Sequence, residues 1–196
     1  IEGAIEAACP DYSVRRGFTS QIIIDHVLSR DGIAIDNVTE ALDRAVNNGV
    51  KTLVVQPTHL MHGAEYDEMM EALAEYKGKI AKISVAEPLL GEVGNDASVI
   101  NADKEAVAKA VVAAAEVPSD TALVLLGHGT SHTAKVSYSQ MKTQFETLGY
   151  DNVFVGTVEG EPEDTSCESV IEAGKAAGYT TVILRPPMVV AGDHAN

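Results

Sequence analysis

Apolar runs alternate with amphipathic segments along the whole chain. Thr39–Asn48 has helical spacing and is ended by Gly49, and Val50–Gln56 follows as a strand. Glu65–Tyr76 is predicted as a helix and Lys79–Ala86 as a strand stopped by Pro88. Asp103–Glu116 is an Ala- and Val-rich helix, Thr121–Leu126 a strand, Ala134–Leu148 a helix and Asn152–Val158 a strand. Thr165–Ala177 is a helix opened by a Thr165-x-x-Glu168 capping box, and Thr180–Leu184 is the last strand. The runs Ala122–Leu126, Val153–Val158 and Val182–Val190 are apolar enough to be buried strands. Strands separated by helices of this length imply βαβ units and a mostly parallel sheet. Ile1, Ile5 and Ala8 already follow helical spacing, so the chain is expected to open inside a helix and to be a fragment.

The pattern also repeats. Residues 49–63 align without gaps on residues 178–192, an offset of 129. Glycine, threonine, proline and glycine coincide at 49/178, 52/181, 57/186 and 63/192, and apolar positions 53–55 match 182–184. Two α/β halves follow, 1–88 and 119–196, joined by 89–118 with its crossover helix. Residues 1–88 lack a strand equivalent to Thr121–Leu126, so this half is expected to be truncated at its start. The C-terminal half is expected to carry the functional site, in a cleft between the halves.

Composition narrows the partners. The 196 residues carry 29 acids against 14 Lys and Arg, a formal charge of −15. With no basic run, nucleic acid and anionic membranes are disfavoured as partners. No apolar stretch approaches the roughly 20 residues of a membrane span. Cys9 and Cys167 are too few for a disulfide framework or a Cys-based zinc site and are expected reduced, on helices, in a cytoplasmic protein. Export is left open, because the N-terminus of the parent protein is expected to be absent.

Three metal-capable side chains follow apolar runs: His128 in Gly127-His128-Gly129-Thr130, Glu159 in Thr157-Val158-Glu159-Gly160, and His194 in Gly192-Asp193-His194-Ala195. In open parallel sheets, ligands bind outside the carboxyl ends of the strands. Two imidazoles and a carboxylate at one edge suit a divalent transition metal. Each residue has a plainer explanation: a loop hydrogen bond for His128, a surface acid for Glu159, an exposed terminal side chain for His194. Asp193 is either a companion that orients an imidazole or a turn residue. Glu65 is the repeat counterpart of His194. His59 and His132 are candidates for the same cleft, His62 is read as a loop residue and His26 as structural. Glu161, Glu163 and Asp164 read as a solvated loop and helix start.

These motifs, in this order, resemble the anaerobic sirohydrochlorin cobaltochelatases. Further matches are Phe18-Thr19-Ser20 after Val14-Arg15-Arg16, Asp36-Asn37-Val38 before a helix, and Gln56-Pro57-Thr58-His59 followed by Gly63-Ala64-Glu65-Tyr66. The resemblance covers essentially the whole chain. It implies the class II, ferrochelatase-like fold: two similar three-layer α/β domains, internally duplicated, each a parallel sheet flanked by helices. It implies ATP-independent insertion of Co²⁺ into sirohydrochlorin, with His128, Glu159 and His194 as metal-binding and catalytic residues and His128 also the proton acceptor.

The residue types agree with that chemistry. Two imidazoles and a carboxylate suit Co²⁺, Fe²⁺, Ni²⁺ or Zn²⁺ without choosing among them. An imidazole, with an ordinary pKa of about 6.5, can take a pyrrole proton at neutral pH. Iron or nickel chelation, or a non-catalytic tetrapyrrole- or metal-binding module, are the competing readings. The substrate is a polycarboxylate. Arg185, with His59 and His132, is a candidate to contact it, and Arg15, Arg16 and Lys135 are further basic residues. The chain leaves room for a homo-oligomer. The family is longer at both ends, so part of the substrate cleft is expected to lie outside this sequence.

Overall fold

The computed structural model describes residues 1–187, and His194 and Asp193 lie outside the described residues. The chain is α/β and forms two compact units. In the first unit, α1 (Glu2–Ala8), α2 (Gln21–Asp31) and α3 (Val38–Asn47) precede β1 (Thr52–Val55), α4 (Ala64–Ala74) and β2 (Lys82–Val85). The second contains α5 (Ala102–Ala115), β3 (Ala122–Gly127), α6 (Val136–Thr147), β4 (Val153–Thr157), α7 (Cys167–Ala176) and β5 (Val182–Arg185). Residues 56–64 belong to the second unit.

In the first unit β1 and β2 pair in parallel. Their side chains alternate, as the period of two requires. Leu53, Val55, Ile83 and Val85 pack against Leu42 of α3 and Met69 and Leu73 of α4. Thr52, Val54, Lys82 and Ser84 stay exposed on the other face. Helix α3 starts at a capping box, in which Asn37 Oδ1 accepts from Glu40 N and Glu40 Oε2 accepts from Asn37 N. A parallel bridge from Phe18 to Asn37 brings two of the family-like motifs together.

The second unit has the parallel strand order β4-β3-β5 and three layers. Leu123, Leu125, Val153 and Val155 face Met141 and Phe145 of α6, backed by Ala108 of α5. On the opposite face, Gly156 leaves room for Leu126 and for Val170 of α7, whose methyl groups lie 3.2 Å from where a Cβ would stand. Met61 and Leu60 join the α6-side core, and their segment is tied down by Leu89 N to His59 O and Leu90 N to Leu60 O, each 3.0 Å.

Several expectations are corrected. Helix α7 is capped by Ser166, whose hydroxyl accepts from Ser169 N, rather than by Thr165. Thr165 is buried, and its hydroxyl donates to Pro162 O and meets Thr157 Oγ1 at 2.9 Å. A buried hydroxyl must be paired, and here the sheet claims it before the helix can. The last strand ends at Arg185; Val182 and Leu184 are more than half exposed while Ile183 between them packs on the core, and among the described residues β5 pairs with β3 alone. Residues 188–190 of that apolar run lie outside the described residues. The predicted helix at Ala134 begins with a 3-10 turn, Thr133–Lys135. Helix α2 escaped the hydrophobic pattern because Ile22, Ile23 and Leu28 all point outward, with only Ile24 buried.

The repeat is visible locally in its helix ends. Gly49 and Gly178 have φ of +70° and +85°, and the bonds Val50 N to Ala45 O and Tyr179 N to Gly174 O correspond. The same turn also closes α6 at Gly149, with Tyr150 N donating to Phe145 O, so this feature is common to three junctions. In the repeat register, packed Leu53 falls on exposed Val182 and exposed Val54 on part-buried Ile183.

Candidate metal centre

Strand pairing brings two of the three candidate ligands together. Strand β3 lies between β4 and β5, with Gly127 opposite Thr157, so His128 and Glu159 leave the same sheet edge from neighbouring strands. The ladder continues past the strands, through Val158 N to Gly127 O at 2.9 Å and Glu159 N to His128 O at 3.0 Å. His128 Nδ1 stands 3.5 Å from Glu159 Oε1, and both side chains are about half exposed, at 47% and 48%. His194, the third candidate, lies outside the described residues, while β5 delivers Arg185 beside Leu125 on the other side of β3.

The glycines around His128 are required by shape. Gly129 has φ +93°, and a Cβ there would stand 3.1 Å from Glu159 Cβ and 3.3 Å from Thr157 Cβ. Gly127 leaves space for the Tyr138 ring, whose Cε1 would clash with an added Cβ. The Tyr138 hydroxyl accepts a hydrogen bond from Gly129 N at 3.3 Å. Burial pushes the Tyr138 phenol up; the hydrogen bond from Gly129 opposes this and the Glu159 charge adds to it. The phenol is therefore neutral at physiological pH.

Two oxygens stand beside His128 Nδ1. Nδ1 lies 3.1 Å from Gly129 O and 3.5 Å from Glu159 Oε1, and both are acceptors. A proton on Nδ1 would serve either acceptor and leave the lone pair on Nε2. A carboxylate placed in this way can orient the ring. Turned outward, the same carboxylate can itself ligate.

The other candidates are distributed as follows. His132 caps the turn before α6, its Nδ1 accepting from Ala134 N at 3.1 Å. His59 is half-buried and holds Leu89 through its carbonyl. His62 Nε2 lies 2.7 Å from Glu87 Oε2. Arg185 is exposed and donates to Leu184 O, and Arg15 likewise donates to the adjacent Val14 O. Lys135 pairs with Glu161 at 2.6 Å, joining the loop after β3 to the loop after β4. Asp164 accepts from the Ser139 hydroxyl at 2.9 Å. Thus Glu161 and Asp164, expected as solvated loop residues, fasten the loops of the site.

Tyr138 and the Lys135–Glu161 pair were not among the sequence candidates. The only trace of Tyr138 was an aromatic residue early in the helix that follows a Gly-x-Gly turn. Among the described residues, no three His, Cys, Asp or Glu side chains gather as a metal-holding group. A cavity of about 330 Å³ lies within the first unit, between Met70, Leu73 and Ile83, with Lys77 as the one titratable side chain lining it. No helix among the described residues is long and apolar enough to cross a membrane.

The chain was also compared with known proteins. A family model described as "Cobalt chelatase (CbiK)" matches residues 1–196. The chain is 29% identical over 197 residues to the sirohydrochlorin cobaltochelatase of Salmonella typhimurium strain LT2, covering 99% of this chain and 69% of that protein. It is 30% identical over 193 residues to the sirohydrochlorin cobaltochelatase CbiKC of Nitratidesulfovibrio vulgaris, covering 95% of this chain and 63% of that protein. The chain thus spans about two thirds of the length of these relatives. With its parallel three-layer unit and a His–Glu pair at the strand ends, the chain belongs to the cobalt chelatase family.

Proposed function

We propose that this protein inserts Co²⁺ into sirohydrochlorin without ATP, as a step of the anaerobic route to cobalamin. The observation that carries this reading is the His128–Glu159 pair, 3.5 Å apart at the ends of neighbouring strands, in a chain matched throughout by the cobalt chelatase family. His128 binds the ion through Nε2, Glu159 orients that imidazole or turns to ligate, and His194 supplies the third donor. An exposed site with few ligands suits a cargo that must be released. Two pyrrole N–H bonds must break as the ion enters the macrocycle. Once the ion has left, the Nε2 lone pair can take one of these protons while the other passes to water at the exposed site, so metal delivery and proton uptake share one group. Neither step needs the energy of ATP, because four pyrrole nitrogens outcompete a site with so few donors. His59, His132 and Arg185 are retained as contacts for the tetrapyrrole and its carboxylates. The exposed, unpaired Cys9 and Cys167 support a reducing compartment such as the cytoplasm.

The test is anaerobic metal insertion followed by absorbance. His128→Ala and His194→Ala are expected to abolish cobalt insertion while the circular dichroism spectrum stays unchanged. Normal insertion by both variants would overturn the site. Because the ligand types do not choose the metal, parallel assays with Fe²⁺ and Ni²⁺ decide the cargo, and a clear preference for iron would replace cobalt. Stoichiometric binding with no turnover by wild type would instead favour a carrier module.

A further inference from the structure

His128 is half exposed, and its Nδ1 lies 3.1 Å from Gly129 O, so the backbone from Gly127 to Gly129 takes part in setting the aim of the ring. That backbone is fixed from two directions. On one side, β4 supplies Val158 N to Gly127 O and Glu159 N to His128 O. On the other, Tyr138 projects from the first turn of α6. Its ring is buried, at 7% exposure, in the space left by the missing side chain of Gly127. Its oxygen ends on Gly129 N–H at 3.3 Å. A phenylalanine would fill the same core space equally well, so the hydroxyl is spent on the loop. The loop it holds is also the one against which Glu159 rests, since Glu159 Cβ lies 3.1 Å from the Cβ position of Gly129.

We infer that Tyr138 is a positioning residue: its hydroxyl fixes the Gly127–Gly129 turn so that His128 Nε2 and Glu159 are held in a geometry that binds and hands over a divalent cation. This inference rests on the metal-delivery reading above. Tyr138 does not touch the ion or the tetrapyrrole, and it acts through the Gly129 amide. Outer contacts of this kind are worth about 10–100-fold in metal affinity or activity when removed.

The experiment uses the full chain as wild type, Tyr138→Phe, Gly127→Ala and His128→Ala. The first measurement titrates Co²⁺ alone and follows the visible ligand-field bands of the bound ion. The second determines kcat and KM for sirohydrochlorin under anaerobic conditions. Tyr138→Phe is expected to weaken Co²⁺ binding by about tenfold, to alter the band shape, and to lower kcat by about tenfold. KM for the tetrapyrrole is expected to stay within about twofold, because no substrate contact is lost. Gly127→Ala, which drives a Cβ into the Tyr138 ring, is expected to shift both quantities in the same direction. Unchanged cobalt affinity, band shape and kcat in Tyr138→Phe, whatever its thermal midpoint, would reduce Tyr138 to a core residue and overturn the inference. Wild type and His128→Ala titrating alike would overturn the metal-delivery reading itself, and that outcome is separable because it does not involve Tyr138.

Discussion

Gly129 is where backbone conformation and chemistry meet. Its φ of +93° lies in the region open to glycine, and its missing side chain is what lets Glu159 and Thr157 approach. Gly129→Ala is expected to destabilise the fold by about 1–3 kcal/mol through backbone strain and to lower cobalt insertion by displacing Glu159. Urea denaturation and the insertion assay on one preparation check both, and wild-type activity with wild-type stability would show that the turn accommodates a Cβ. The Gly-x-Gly around His128 is visible in the sequence as a pattern, and the structure shows that these glycines make room for Tyr138 and for Glu159.

Among the elements, α3 and α4 are joined by Tyr76, which follows α4. Its hydroxyl donates to Asp43 Oδ1 at 2.7 Å and also contacts Thr39 O. The hydrogen bond to Asp43, reinforced by burial, pushes the Tyr76 phenol up to about 12. A group whose pKa is raised in the fold contributes stability below its unfolded value of about 10, and this is lost as pH rises through about 12. Tyr76→Phe is therefore expected to be less stable than wild type at neutral pH, with the gap narrowing between pH 10 and 12. Urea midpoints across that window test it, and a constant gap would mean that the bond contributes nothing. Element types were legible wherever spacing met burial, as in α5 to β4. They were lost where it did not: α2 turns three large apolar residues outward, so its period was hidden, and Thr165 obeyed the capping-box spacing while its hydroxyl was already bound to the sheet.

For the whole molecule, charge is the constraint. A chain of net charge −15 repels a polycarboxylate, and Lys135, the cation that joins the two site loops, is already paired with Glu161. Raising ionic strength from about 10 mM to about 150 mM shortens the screening length from roughly 30 Å to roughly 8 Å. The expected outcome is a rise in kcat/KM for sirohydrochlorin over that range. A fall would mean that a local basic surface captures the substrate and dominates the net charge.

The alternation of strands and helices, and the placement of His128 and Glu159 just beyond strands, could be read from residue order, because strand period and strand end are local properties. Family membership could be read for the same reason, since motif order is linear information. The 3.5 Å meeting of His128 with Glu159 was not local. It depends on β4 lying beside β3 with Gly127 opposite Thr157, a register that long-range pairing sets. That register also brings Glu159 to Nδ1 of His128. The role of Tyr138 needs packing of α6 against β3, which no spacing encodes. Residue order thus named the candidates, and tertiary contact decided that His128 and Glu159 face one another.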